Sequence, residues 1–360
     1  MTQSRHQRAF TLPETFAAAV VLAALGASMM VGMGGADKIS GGIDSSFRHR
    51  QLGQAQHVYL ADHMGRYAGV NTSGAPYQAR GISLETGIVD AADLLLGSSS
   101  SSTPTQTYDW ISPIMGDAID LGANRALRMA NIFNKLGDPR ATRRNDFLFG
   151  NPADSQDFID ILNTSRFRQV SYLQPSAFHL YSSRITPPLA PTDLLGKVDI
   201  DLGDRLKSEH PASPGLVPID FAPNIDRVGV SLASKVMHAD GTRYLGVVDG
   251  LDLDIEANPT VNGAFMDNGP IYHASVAYGR AFNAAPGNIE LSFRGRDGSM
   301  LATMFDGSVR SLTREQAWTD PSLWYPSGST FTGSDATPES IIYATKNFLP
   351  SKDGLGLVIP

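Results

Sequence analysis

The 360-residue chain carries 29 Lys and Arg against 36 Asp and Glu, a net charge of −7, and contains no cysteine. Nucleic-acid affinity comes mainly from clustered Lys and Arg, so the acidic balance sets nucleic acid aside as a partner; without thiols, disulfide staples, thiolate metal sites and cysteine nucleophiles are excluded too. With 42% hydrophobic and 18% charged residues, the chain is too apolar to stay disordered, and a mostly soluble body is expected.

The first pattern along the chain is an apolar run over residues 16–36, FAAAVVLAALGASMMVGMGGA. As a helix it reaches about 31 Å, the thickness of one bilayer core. Arg5, His6 and Arg8 precede it with no acid among the first nine residues, so the positive-inside rule holds this end in the cytoplasm and exports the body. A secretory signal cut in the small-residue stretch 27–35 is the alternative.

Residues 9–14 read Ala-Phe-Thr-Leu-Pro-Glu, and they resemble the processing site of type IV prepilins and type II secretion pseudopilins. The resemblance implies a leader over 1–9, cleavage by a prepilin peptidase between Ala9 and Phe10, N-methylation of Phe10, and Glu14 as the acid through which subunits assemble. Ala9 stands where the family usually has Gly, and Pro13 where it usually has a bulky aliphatic; a proline near a helix start loses no intrahelical hydrogen bond. A carboxylate beside an apolar helix needs a partner, and the resemblance supplies one in the freed amino terminus of a neighbouring subunit. A favourable first-turn charge is the simpler account of the same residue.

Ile39, Ile43 and Phe47 recur every four residues, and Leu52, Ala55, Val58 and Tyr59 continue the stripe toward Met64. This predicts a helix extension over 37–67 packed on the body, with Gly41 and Gly42 as its weak point. The stretch RQLGQAQHVYLADHMGRYAG, 50–69, resembles the helix end of a planctomycete pilin-like subgroup in Arg50, Gln51, Leu52, Gly53, Tyr59, Asp62, Gly65, Arg66 and Tyr67. His57 and His63 fall on different helix faces and cannot share a metal. Beyond them, five consecutive serines make 97–105 a solvated linker, and Ile119, Ala123, Leu127, Ala130 and Phe133 predict a helix over about 115–136.

In the last third, Asp240-Gly241, Asp297-Gly298 and Asp306-Gly307 each adjoin β-prone runs. Asp-Gly suits a type I′ turn, whose two central residues need positive φ, so an antiparallel hairpin sheet is predicted over about 228–313. MLATMFDGSVRSL, 300–312, resembles the C-terminal signature of the same subgroup, a His, nine further residues and Asp-Gly. Asp306 and Gly307 match it, and Arg296 occupies the His position.

The G-x-S-x-G elbow, H-E-x-x-H, the P-loop and a strand-borne G-x-G-x-x-G are absent from the sequence. No enzyme and no cofactor are therefore expected, with an exported hydrolase built on a dispersed site left open. Asp249, Asp252 and Asp254 group hard oxygen ligands that suit Ca²⁺. Alternation competes with that reading, because Leu251, Leu253 and Ile255 between them would face a core while the acids face water.

The expected fold is α+β and pilin-like. Leader 1–9 precedes a transmembrane and filament-core helix over 10–36, the extension 37–67, and an exported head, 68–360, with a C-terminal antiparallel sheet. The resemblance implies a structural pilin-like subunit, a pseudopilin of a type II secretion or type IV pilus-like filament. It would sit single-pass in the bacterial inner membrane with its head in the periplasm or at the cell surface. Its implied partners are the prepilin peptidase, other pilin-like subunits, the assembly platform and the inner membrane. A membrane-anchored exported binding or adhesion protein is the alternative.

Overall fold

The computed structural model describes residues 41–69, 109–115, 125–138, 147–149, 297–360 and parts of 160–182, 214–252, 265–278 and 291–295. The leader, the apolar run 16–36, Glu14 and the serine linker lie outside the described residues. Helix α1 spans Gly41–Asp62. It ends where Met64 and Gly65 take positive φ, 54° and 78°, and the Gly65 N–H donates to Leu60 O at 3.0 Å, which satisfies one of the last carbonyls. The side most deeply buried carries Ser45, His49, Leu52, Gly53, Gln56 and Leu60. Phe47 and Val58 of the predicted apolar stripe face outward, 42% and 57% exposed. The helix is therefore rotated from the expected orientation, and half of what it buries is polar.

The remaining helices are short: α2 (Ile111–Met115), α3 (Arg125–Asn131), α4 (Ile225–Val228), α5 (Arg314–Thr319) and α6 (Pro338–Asn347). Helix α3 runs on into one π turn, Ile132–Leu136. A reciprocal capping box between Thr313 and Gln316 starts α5. Strands β1 (Phe147–Phe149), β2 (Tyr172–Pro175), β3 (Gly215–Leu216), β4 (Val236–Asp240), β5 (Tyr244–Leu245) and β6 (Gly250–Asp252) are followed by β7 (Met266–Asp267), β8 (Met300–Met304) and β9 (Val309–Leu312). Strands β10 (Thr330–Phe331), β11 (Leu349–Pro350) and β12 (Leu357–Val358) complete the order.

These strands form a five-stranded sheet, β7-β2-β4-β8-β9, a four-stranded antiparallel sheet, β11-β12-β10-β3, and a three-stranded sheet, β1-β6-β5. The five-stranded sheet is mixed, because β2 pairs parallel with β7 and antiparallel with β4. All five residues of β4 are buried, as expected for a central strand covered on both faces. The core centres on Trp110, Phe133, Tyr172, Met304 and Trp324.

The architecture is thus mixed α/β, and it overturns the expected pilin-like α+β arrangement of a long N-terminal helix over a C-terminal antiparallel sheet. Strands β2 and β7 come from outside the predicted hairpin region or pair outside it, and Asp240-Gly241 is no hairpin turn. Gly241 instead donates its N–H to Ser171 O at 3.1 Å, and an added Cβ would stand 2.8 Å from Leu173 Cδ1. The glycine at 241 serves close packing rather than positive φ. Among the described residues Asp306-Gly307 is the one of the three predicted Asp-Gly turns that joins two paired strands, β8 and β9, and there only Gly307 takes positive φ, 82°, so the turn is not the expected type I′.

The membrane expectation is corrected as well. Among the described residues no helix is long and apolar enough to cross a membrane, so the transmembrane helix and the single-pass inner-membrane location find no span in them; the segment 10–36 lies outside the described residues. Helix α1 carries Arg48, Arg50 and Asp62, a composition that belongs against a polar partner and water.

Gly53 is the contact point between α1 and β8, for a Cβ there would meet Thr303 Cγ2 at 2.9 Å. Replacing Gly53 by Leu raises intrinsic helix propensity by about 1 kcal/mol, yet overpacking at this contact should cost about 1–3 kcal/mol. Urea denaturation should therefore show Gly53→Leu to be net destabilised.

Candidate functional site

The most concentrated chemistry in the described structure lies between α1 and the five-stranded sheet. Asp240, the last residue of β4, has no exposed surface. Its Oδ1 accepts from His49 Nε2 at 2.8 Å, from Ser45 Oγ at 3.4 Å and from Arg294 Nη2; its Oδ2 accepts from the Leu301 N–H at 3.1 Å. Arg294 Nη2 also donates to Ser171 O at 2.8 Å, its Nε lies 3.4 Å from Asp138 Oδ2, and its guanidinium sits 5.0 Å from the Tyr172 ring centre. Arg48, one residue before His49, donates to Leu136 O and Gly137 O at 3.0 and 3.1 Å, closing the π turn.

Electrostatics follow from this geometry. Burial works to raise the Asp240 carboxyl, but the charges of Arg294 and then His49, with their hydrogen bonds, outweigh it and lower it from 3.8 to about 2. Burial likewise works against the Arg294 charge, and Asp240, Tyr172 and Asp138 hold it on. Two charges are thus kept ionised with no exposed carboxylate surface, a state that persists only when nearly every polar atom is matched.

His49 Nδ1 lies 3.1 Å from Thr303 Oγ1, so Asp240, His49 and Thr303 line up like a catalytic relay. Each of the three has no exposed surface, and the Thr303 hydroxyl also reaches His49 O at 3.2 Å. No substrate can approach that hydroxyl in this arrangement, which clamps a helix instead. A second imidazole, His238, stacks on His49 with centroids 5.1 Å apart and planes 7° apart, while Trp110 covers its other side at 5.0 Å.

At the start of β4, Lys235 is fully buried and its Nζ donates to Ser322 O and Pro360 O at 2.8 and 2.6 Å. Burial brings this ammonium down to about 8, with Asp320 opposing. His179 is pushed down to about 3 by burial, beside Tyr67, whose hydroxyl donates to Phe178 O.

The residues singled out from sequence are distributed differently. Asp306 is exposed; its Oδ1 accepts from the Ser308 N–H and hydroxyl at 2.9 and 2.6 Å, and these bonds, outweighing partial burial, lower its carboxyl. A Cβ at Gly307 would lie 3.1 Å from His57 Nε2. Asp252 ends β6, while Ala9, Phe10, Glu14, Asp249, Asp254 and Arg296 lie outside the described residues. Among the described residues no group of three or more His, Asp and Glu could hold a metal ion. Sequence reasoning passed over His49, Asp138, Asp240, Arg294 and His238. The available signal was an acid and a histidine inside the otherwise apolar Val236–Asp240 strand and an arginine flanked by Phe293.

Compared with known protein families, curated proteins and solved structures, the chain matches none.

Asp240→Asn should destabilise the protein by about 3 kcal/mol, because Arg294 is left buried with Asp138, 3.4 Å from its Nε, as its remaining counter-charge. Adding Arg294→Met should recover part of that loss, which urea denaturation of the single and double variants will show. Because the folded Asp240 carboxyl is lowered from 3.8 to about 2, its contribution is whole above pH 3.8 and is lost as pH falls toward 2. The stability gap between wild type and Asp240→Asn should narrow over that interval.

Proposed function

We propose that the chain is a structural pilin-like subunit, cut by a prepilin peptidase between Ala9 and Phe10, N-methylated at Phe10, and assembled through Glu14 into a type II secretion or type IV pilus-like filament. The supporting observation is that the two segments resembling the planctomycete subgroup, 50–69 and 300–312, pack on one another although they lie far apart in sequence. Gly53 meets Thr303, the turn at Gly307 meets His57, and the rings of Tyr67 and Phe305 are 5.3 Å apart. A signature split between two ends of a chain has a physical reason when its halves form one interface. The polar core of that interface is buried and holds the two segments together.

Mass spectrometry of the mature chain should find a methylated Phe10 as its first residue. The net charge would move from −7 to −9, since Arg5 and Arg8 leave and no acid does. A first residue beyond Gly26 would overturn the reading. Glu14→Gln removes one side of a charge pair whose loss costs about 3–5 kcal/mol when buried, so cross-linked oligomers should fall sharply at matched expression. Unchanged oligomers would reduce Glu14 to an ordinary first-turn acid.

A further inference from the structure

His49 and His238 are both fully buried and stacked, yet they are equipped differently. His49 has oxygen partners on both ring nitrogens, Asp240 Oδ1 and Thr303 Oγ1, so it can carry one or two protons without stranding an N–H. His238 has none: neither Nδ1 nor Nε2 makes a hydrogen bond, and the ring is held between Trp110 and His49. A proton added to His238 would create a buried cation face to face with a second imidazole, with only the pull of Asp240 and of the His49 backbone to favour it. Lifting α1 would remove His49 from one of its faces.

We propose that the stacked His49–His238 pair is an acid-operated latch between α1 and the five-stranded sheet, in which protonation of His238 releases the helix. The latch rests on the geometry of this interface alone and does not depend on the pilin reading. The charged and titratable groups around it are His49 on α1, Asp240 on β4 and, beyond these, Arg294, Asp138 and Tyr172; Asp109, the neighbour of Trp110 in sequence, and Arg128 attract one another.

Asp240 keeps its charge well below the range in which histidines titrate, so it does not trigger release there. Burial first, and the charge of His49 second, push His238 well below 6.5 against the pull of Asp240 and of the His49 backbone. The released state therefore binds the proton more readily than the docked one. Docking is at full strength above pH 6.5 and weakens as pH falls below it.

The test is amide hydrogen exchange of the full chain from about pH 7.5 to about pH 4.5, read as protection factors for α1 and for β8. One proton taken up on release predicts that α1 protection falls up to about tenfold per pH unit below 6.5, while β8 keeps its protection. His238→Phe retains a flat ring in the stack and should abolish that dependence. Equal loss of protection in α1 and β8, or an unchanged α1 profile in His238→Phe, would overturn the latch. So would a flattening produced by His179→Phe and not by His238→Phe. Should His238→Phe fail to fold, ¹⁵N NMR of the wild-type imidazoles decides: His238 should be protonated only in the fraction with α1 released, and a protonated His238 under a protected α1 refutes the proposal.

Discussion

A carboxylate without exposed surface in the middle of a sheet has to be neutralised by groups that the fold itself delivers. Asp240 receives them from two directions, Arg294 from the approach to β8 and His49 from α1. Neither alone matches all of its lone pairs, and Ser45 and the Leu301 N–H take the remainder. The consequence is geometric. An apolar helix face can slide or rotate on a sheet at small cost, whereas hydrogen bonds to one carboxylate fix both the height and the rotation of α1. That explains why α1 turns Ser45 and His49 inward and leaves Phe47 and Val58 outside.

The apolar packing is arranged around this fixed point. Beyond the hub, Leu60, Tyr67, Phe178, Met237 and Phe305 form their own cluster at the C-terminal end of α1. The register of β4 against β8 shifts between Val236 and His238, and the extra residue brings both Met237 and His238 within reach of the helix. The exit of α1 is then held through its backbone, as the Ile225 N–H donates to Gly65 O at 2.9 Å and Asn224 Nδ2 to Met64 O at 3.1 Å. Position is set by polar bonds, while apolar burial supplies most of the driving force.

Parts of this were legible in the sequence and parts were not, for identifiable reasons. That Asp306-Gly307 turns the chain between two strands could be read because β8 and β9 are adjacent in sequence, but the type I′ geometry could not: the Gly307 N–H closes the turn on Met304 O at 2.9 Å, and of the two residues only Gly307 takes positive φ. Asp240-Gly241 has the same letters and a different meaning, since there the acid ends a buried strand and the glycine makes room for Leu173. Nothing local distinguishes the two; the difference lies in Arg294 and His49, 54 and 191 residues away. The stripe on α1 was misjudged for a related reason: periodicity identifies the apolar side of a helix, and here the buried side is chosen by a charge on another element.

Those separations also bear on the order in which the chain can fold. The hairpin of β8 and β9 and the capped helix α5 are built from neighbours in sequence, so they can form early. Joining His49 to Asp240 and to Thr303 closes loops of 191 and 254 residues, which costs entropy before any contact is returned. Until both ends arrive, the Asp240 carboxylate is better off in water than in the half-built interface. Desolvation of a single side chain thus becomes a late gate on the pathway: the sheet can assemble around its local hairpin, but it cannot seal its helix-facing side until the N-terminal part of the chain has come home.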